Sequence, residues 1–217
     1  MVRIFKLFSL LSVSFLVISC SAPKYDYTKY RAAKPKSILV LPPVNNSVEV
    51  GASEAVFSTI VRPISEAGYY VFPPTLVTET FKQNGFTQPD EIHKISLDRL
   101  DKIYGPDAVL YININQYGQK YFVIGSSAIV TLEARLIDVD TKQEIWSGVA
   151  TANSNENSSG NQAGLVGLLV KAAIEQVAGE LLDASYPTAK IASDRLLSPK
   201  MPNTLLKGPR HSSPDYC

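Results

Sequence analysis

Cysteine and histidine are scarce in this chain, and that scarcity removes most site chemistry. Two cysteines, Cys20 and Cys217, stand one near each end, and the two histidines are His93 and His211. Such dispersed donors form none of the spaced Cys/His sets that hold a metal. His93 lies in a polar stretch and His211 in a proline-rich one, so both are expected in solvent. Ser126 and Ser127 follow Gly125, but no Gly-x-Ser-x-Gly elbow surrounds them, and no phosphate-binding Walker loop is present. An excess of basic charge is also missing: the formal net charge is +1. A nucleic-acid binder would carry a basic face, so that class is excluded. No apolar run reaches the roughly 20 residues a spanning helix needs. The expectation is a protein with no catalytic residues, no metal and no cofactor.

What is present begins at the N-terminus, MVRIFKLFSLLSVSFLVISC. Arg3 and Lys6 form a basic start, and Leu7 to Ile18 are apolar or serine. That is the pattern of a secretory signal over residues 1–19. The residues before Cys20, Val17-Ile18-Ser19, resemble a bacterial lipobox. The resemblance implies that the Cys20 thiol takes a diacylglycerol, that the chain is cut before it, and that its new amine is acylated with palmitate or a similar chain. Two or three chains anchor a protein far more firmly than one. Ser21 rather than Asp at the next position implies sorting to the outer membrane, with the domain facing the periplasm and surface exposure left open. Removal of residues 1–19 leaves 198 residues with 19 basic and 20 acidic side chains. Cys217 is then a lone thiol, either idle or bridging to another chain.

Residues 20–36 are polar, hold Tyr25, Tyr27 and Tyr30, and show no apolar period, so they read as a lipidated tether with its tyrosines on the surface. Residues 37–185 carry the patterns of a folded α/β domain. Lys36–Pro42 is a buried strand ended by Pro42-Pro43. Ser53 is placed to cap a helix that meets Pro63 and stops at Gly68. A second short strand at Tyr69–Phe72 follows, then helices from Thr75 and after Ser96. From Asp107 the pattern turns to strands. Leu110, Ile112 and Ile114 share one face, and Val130, Leu132, Ala134 and Leu136 alternate with Thr131, Glu133 and Arg135. Asp138–Gln143 is a hairpin turn, where Asp138, Asp140 and Glu144 read as a solvated turn before a weak cation site. A polar loop precedes a long helix over Leu165–Ala184 whose apolar stripe is wide. Leu165, Leu168, Leu169 and Ala172, with Trp146, are the candidate face for a second copy or a partner, with plain burial as the alternative. Residues 186–217 hold several prolines and read as a tail that drapes over the domain or is disordered. The expected fold is one mixed β-sheet with helices packed on it.

The blocks ILVLPPVNNS (Ile38–Ser47), EAGYYVFPP (Glu66–Pro74), DAVLYININQYGQKY (Asp107–Tyr121), ARLIDVDTKQEIWSG (Ala134–Gly148) and GLVGLLVKAAIEQV (Gly164–Val177) together resemble a family of Gram-negative lipoproteins of unknown function. Members are similar to the N-terminal domain of TolB and to the periplasmic domain of CsgG-like secretion lipoproteins. The resemblance implies a TolB-N-terminal-like fold. It also implies a non-enzymatic part in an envelope assembly, secretion or transport complex, with a CsgG-like lipoprotein and a small lipoprotein as partners, and a homodimer is expected. A periplasmic carrier of a small ligand or lipid is the alternative, on the strength of Tyr111, Tyr117 and Tyr121 near one strand end. The family's hairpin carries Gly where this chain has Lys142, so the turn is expected to be strained.

Overall fold

The structure, a computed structural model, describes residues 25–121, 126–156 and 184–215. Its elements run α1 (Thr28–Ala33), β1 (Ser37–Val40), β2 (Val44–Asn45), α2 (Ala52–Glu66), β3 (Tyr70–Val71), α3 (Pro74–Gln83), α4 (Pro89–Ile92), α5 (Leu97–Tyr104), β4 (Ala108–Gln116), β5 (Gln119–Tyr121), β6 (Ser126–Asp138), β7 (Glu144–Asn153) and α6 (Ser185–Leu197). The strands make one mixed sheet in the order β3-β1-β4-β6, with β7 on the far side of β6. β1 lies parallel to β3 and β4, whereas β4, β6 and β7 are antiparallel neighbours. The crossover from β1 to β3 steps one way along the sheet, and that from β3 to β4 steps back past β1. Right-handed crossovers in opposite directions place their helices on opposite faces. Accordingly α2 buries Val56, Ile60 and Ile64 against one face, and α3 and α5 bury Val77, Phe81 and Leu100 against the other.

The Pro42-Pro43 step interrupts the edge of β4 without ending it. Val40 pairs with Leu110 but Val44 pairs with Asn113, so one extra residue is held at the prolines. Neither proline has an N–H to give to a ladder. Leu41 N–H donates to Leu110 O on one side and Asn46 N–H to Ile114 O on the other, so the pairing resumes at once. Ser53 does not cap α2. The helix starts one residue earlier behind Gly51, and Ser53 Oγ donates to Pro43 O at 2.6 Å, tying the helix to the bulge.

The first face of the sheet holds the main core. Leu110, Ile112 and Ile114 of β4 and Val130, Leu132, Ala134 and Leu136 of β6 all enter it, as their alternation requires. Its cover includes an element that the sequence hides. Residues beyond 185 are not a draped tail: α6 lies against α2, β6 and β7. Pro187 sits in its first turn, where no helix hydrogen bond needs its nitrogen. Thr188, Ala189, Ala192, Ser193, Leu196 and Leu197 form its buried stripe at four-residue spacing. Small side chains let it approach α2 closely, and Thr59 and Ser193 hydroxyls meet at 2.7 Å across that contact. Leu205 and Leu206 are buried beyond it, so the domain extends well past residue 185.

Lys142 adopts φ 58° in the β6–β7 hairpin, as the departure from glycine implies. Its ammonium compensates in part with an exposed ion pair to Asp98 at 2.7 Å. Such pairs contribute little in water, whereas a side chain at positive φ costs about 1 kcal/mol. Lys142→Gly therefore raises the melting temperature by about 2 °C, and Lys142→Ala, which loses the pair and keeps the strain, lowers it; thermal unfolding followed by circular dichroism checks both.

Candidate functional site

The end of the domain where the chain enters is built from aromatic side chains. Asp26 Oδ1 accepts from the Thr28 N–H at 2.9 Å and the Thr28 hydroxyl at 2.6 Å, which starts α1. Those bonds hold the Asp26 carboxyl below its ordinary value. With α1 so placed, Tyr25, Tyr27 and Tyr30 turn inward rather than lying on the surface. Ser147 N–H donates to the Tyr25 hydroxyl at 2.9 Å, at the outer edge of β7. Tyr27 Oη donates to Thr204 O at 2.6 Å, and burial pushes its pKa up to about 12. Tyr30 is fully buried, with its hydroxyl 2.8 Å from that of Tyr69. Tyr69 Oη donates onward to Leu206 O at 2.6 Å, so Tyr30 is the donor to Tyr69. The expected tether over 20–36 is thus corrected: from Tyr25 on, the chain is part of the fold.

Trp146 is buried at the centre of this end, and its indole N–H donates to Asn203 O at 3.1 Å. Its placement on a partner face is corrected: α6 and the segment after it cover the ring. The other residues proposed for that face, Leu165, Leu168, Leu169 and Ala172, lie outside the described residues, as do Cys20 and Cys217. Sequence reading missed the acceptors on the C-terminal segment, Asn203, Thr204 and Leu206. The faint signal for them was Thr204-Leu205-Leu206, an apolar pair amid prolines.

His93, Tyr111 and Tyr117 also sit elsewhere than expected, and the Tyr121 side chain lies outside the described residues. His93 is not exposed: its Nε2 stands 2.9 Å from Pro42 O and its ring meets the Tyr111 ring edge-on at 5.3 Å. Burial is the main cause that lowers its pKa. The folded state prefers the neutral ring, so this contribution to stability is present above the ordinary imidazole pKa and is lost as pH falls below it. His211 is partly exposed, and its Nδ1 accepts from Ser213 N–H at 3.0 Å. Tyr117 belongs to the main core, and Tyr111 packs between His93 and the Arg135 guanidinium, so neither is the open platform that a ligand carrier would offer. The Asp138 carboxylate accepts from the Thr141 N–H and hydroxyl, which makes it a turn-former. Among the described residues no group of three or more His, Cys, Asp or Glu side chains could hold a metal ion, and no helix is long and apolar enough to cross a membrane.

A mixed sheet covered on both faces, closed by its own C-terminal segment and clasped to its N-terminal lead a few residues after a lipobox-like cysteine, defines a small α/β domain of the lipoprotein type. The chain belongs to the family described as "Putative lipoprotein GNA1162-like", which it matches over residues 25–210. It is similar to "Putative lipoprotein NMB1124/NMB1162" of Neisseria meningitidis serogroup B, with 46% identity over 189 residues and 87% of each chain covered. The crystal structure of lipoprotein GNA1162 from Neisseria meningitidis aligns with a TM-score of 0.54 and 44% identity, covering 67% of this chain and 100% of that one. The structure of TolB from Acinetobacter baumannii aligns with 66% of this chain and 28% of TolB, at a TM-score of 0.32 and 14% identity.

Proposed function

We propose that this chain is held by acyl groups on Cys20 to the outer membrane, faces the periplasm, and acts without catalysis as a component of an envelope assembly, secretion or transport complex. A CsgG-like lipoprotein and a small lipoprotein are its partners in this reading, and it forms a homodimer. The observation that carries the reading is the aromatic clasp. Tyr25 is bonded into the domain five residues after Cys20. At up to about 3.6 Å per residue the lead spans about 18 Å. An anchor at Cys20 therefore holds the folded domain close against the membrane, where it meets other membrane-bound lipoproteins in one plane.

Globomycin, which blocks cleavage of lipidated precursors, tests the anchor. Uncut precursor accumulates in treated cells if the reading is right, and normal processing in its presence overturns it. Crosslinking in intact cells, followed by capture of this chain, tests the partners. Recovery of a CsgG-like lipoprotein supports the complex, and recovery of this chain alone removes it.

A further inference from the structure

A cleft of about 710 Å³ lies between the last turns of α2 and the segment that follows α6. Its walls carry Arg62, Lys200, Lys207 and His211, with Glu66 as the only carboxylate. A smaller cleft of about 320 Å³ shares Arg62, Glu66, Ser198 and Lys200 and continues along α6 past Asp194 to Arg195, which is itself paired with Glu156. Glu66 is taken up by Arg62, whose Nε donates to it at 2.8 Å, leaving the other guanidinium N–H groups for a further acceptor. Lys200 makes no ion pair among the described residues. Among the described residues, Lys207 Nζ reaches only the Ser213 hydroxyl, at 3.3 Å. His211 Nδ1 is occupied by the Ser213 N–H at 3.0 Å. Cations are thus gathered in one concavity of a chain whose overall charge is almost balanced.

The position of the cleft names the anion. Tyr25 N–H donates to Asn203 Oδ1 at 3.4 Å, and Asn203 is three residues after Lys200. The cleft therefore opens beside the point where the lead departs for Cys20, which lies within about 18 Å along the chain. Lysine and arginine near an anionic membrane surface are attracted over roughly a Debye length, about 8 Å at physiological salt. We propose that this cleft takes the phosphate of an anionic phospholipid headgroup in the membrane that holds Cys20, and so fixes the orientation of the domain on that membrane. This rests on the anchored reading above. Tetrahedral phosphate oxygens accept from the ammonium groups of Lys200 and Lys207 and from the free guanidinium edge of Arg62.

The test uses the acylated mature protein in nanodiscs of phosphatidylcholine, alone or mixed with phosphatidylglycerol. The mass of the N-terminal peptide reports the anchor independently. Amine acetylation of Lys200 and Lys207 is expected to slow about fivefold in the anionic discs, to recover at high salt, and to leave Lys102 on α5 unchanged. With Lys200→Gln and Lys207→Gln combined, one change exposed and one half-buried, the lipid-dependent protection of the Lys207, Gly208, Arg210 and His211 amides from hydrogen exchange disappears. Equal lysine reactivity in both discs with Cys20 acylated overturns the headgroup site and leaves the anchor standing. Protection by inorganic phosphate in neutral discs, without any by the anionic lipid, also overturns it. A peptide without acyl groups overturns the reading beneath it.

Discussion

Trp146→Ala lowers the stability of the domain by about 4 kcal/mol and its melting temperature by roughly 10 °C. The residue is fully buried on β7, where the sheet, α6 and the C-terminal segment meet. Its neighbours leave it little slack. A Cβ placed on Gly148 would stand 2.7 Å from Trp146 Cζ2 and 3.2 Å from Leu196 Cδ1, so ring, strand and helix are already in contact. Removing the ring opens a cavity that a sheet cannot close by shifting, because β6 fixes the backbone of β7 through nine paired positions. It also strands the Asn203 carbonyl, which loses the indole donor. Trp146→Phe keeps much of the volume and loses that bond, so its cost falls to about half. Urea unfolding followed by far-ultraviolet circular dichroism measures both; a loss under about 1 kcal/mol for Trp146→Ala would show that the core does not close over this ring.

The sheet was legible because its signals are local. The alternation from Val130 to Leu136 names its own inward face, and Pro42-Pro43, Gly68 and Gly105 punctuate the elements they end. The Lys142 strain was readable by comparing the turn with the glycine that the resembling family carries there. α6 was not legible, for a physical reason: its buried stripe is mostly Thr, Ala and Ser, which a hydrophobic pattern does not register, and its value lies in close approach to α2. The same limit hid the clasp. Tyr27 and Thr204 are 177 residues apart, and nothing near Tyr27 announces a carbonyl waiting for it. A tyrosine-rich lead without period looks identical whether it is solvated or docked, and only the distant acceptors decide. His93 is the same case in miniature, since its acceptor, Pro42 O, is supplied by a bulge on another element. Trp146 is a third case: it looked like a partner face until α6 was seen to cover it.

Gly68→Ala detaches the C-terminal strap, and the loss exceeds what its backbone conformation alone requires. Gly68 has φ 94°, where an L side chain is strained by about 1 kcal/mol or more. The larger effect is contact. A Cβ on Gly68 would lie 2.3 Å from the His211 nitrogen and 2.9 Å from its Cβ, and backbone cannot yield as a long side chain can. The strap is held here by Gly208 N–H to Ala67 O at 2.7 Å and Arg210 N–H to Gly68 O at 3.1 Å. Displacing it strains both bonds and draws Leu206 O from Tyr69, each worth about 1 kcal/mol, for a total of about 3 to 4 kcal/mol. Gly85→Ala supplies the comparison. Gly85 has φ 84°, but nothing lies within 4 Å of the added Cβ, so it pays the backbone strain alone. Thermal unfolding ranks the two, and hydrogen exchange locates the difference. The Gly208 and Arg210 amides exchange far faster in Gly68→Ala and unchanged in Gly85→Ala. Equal losses in the two variants would mean that the strap has room over Gly68. A larger loss in Gly68→Ala, with exchange confined to the strap, makes the strap a layer that opens while the sheet stays formed, and Gly68 the position that lets it pack.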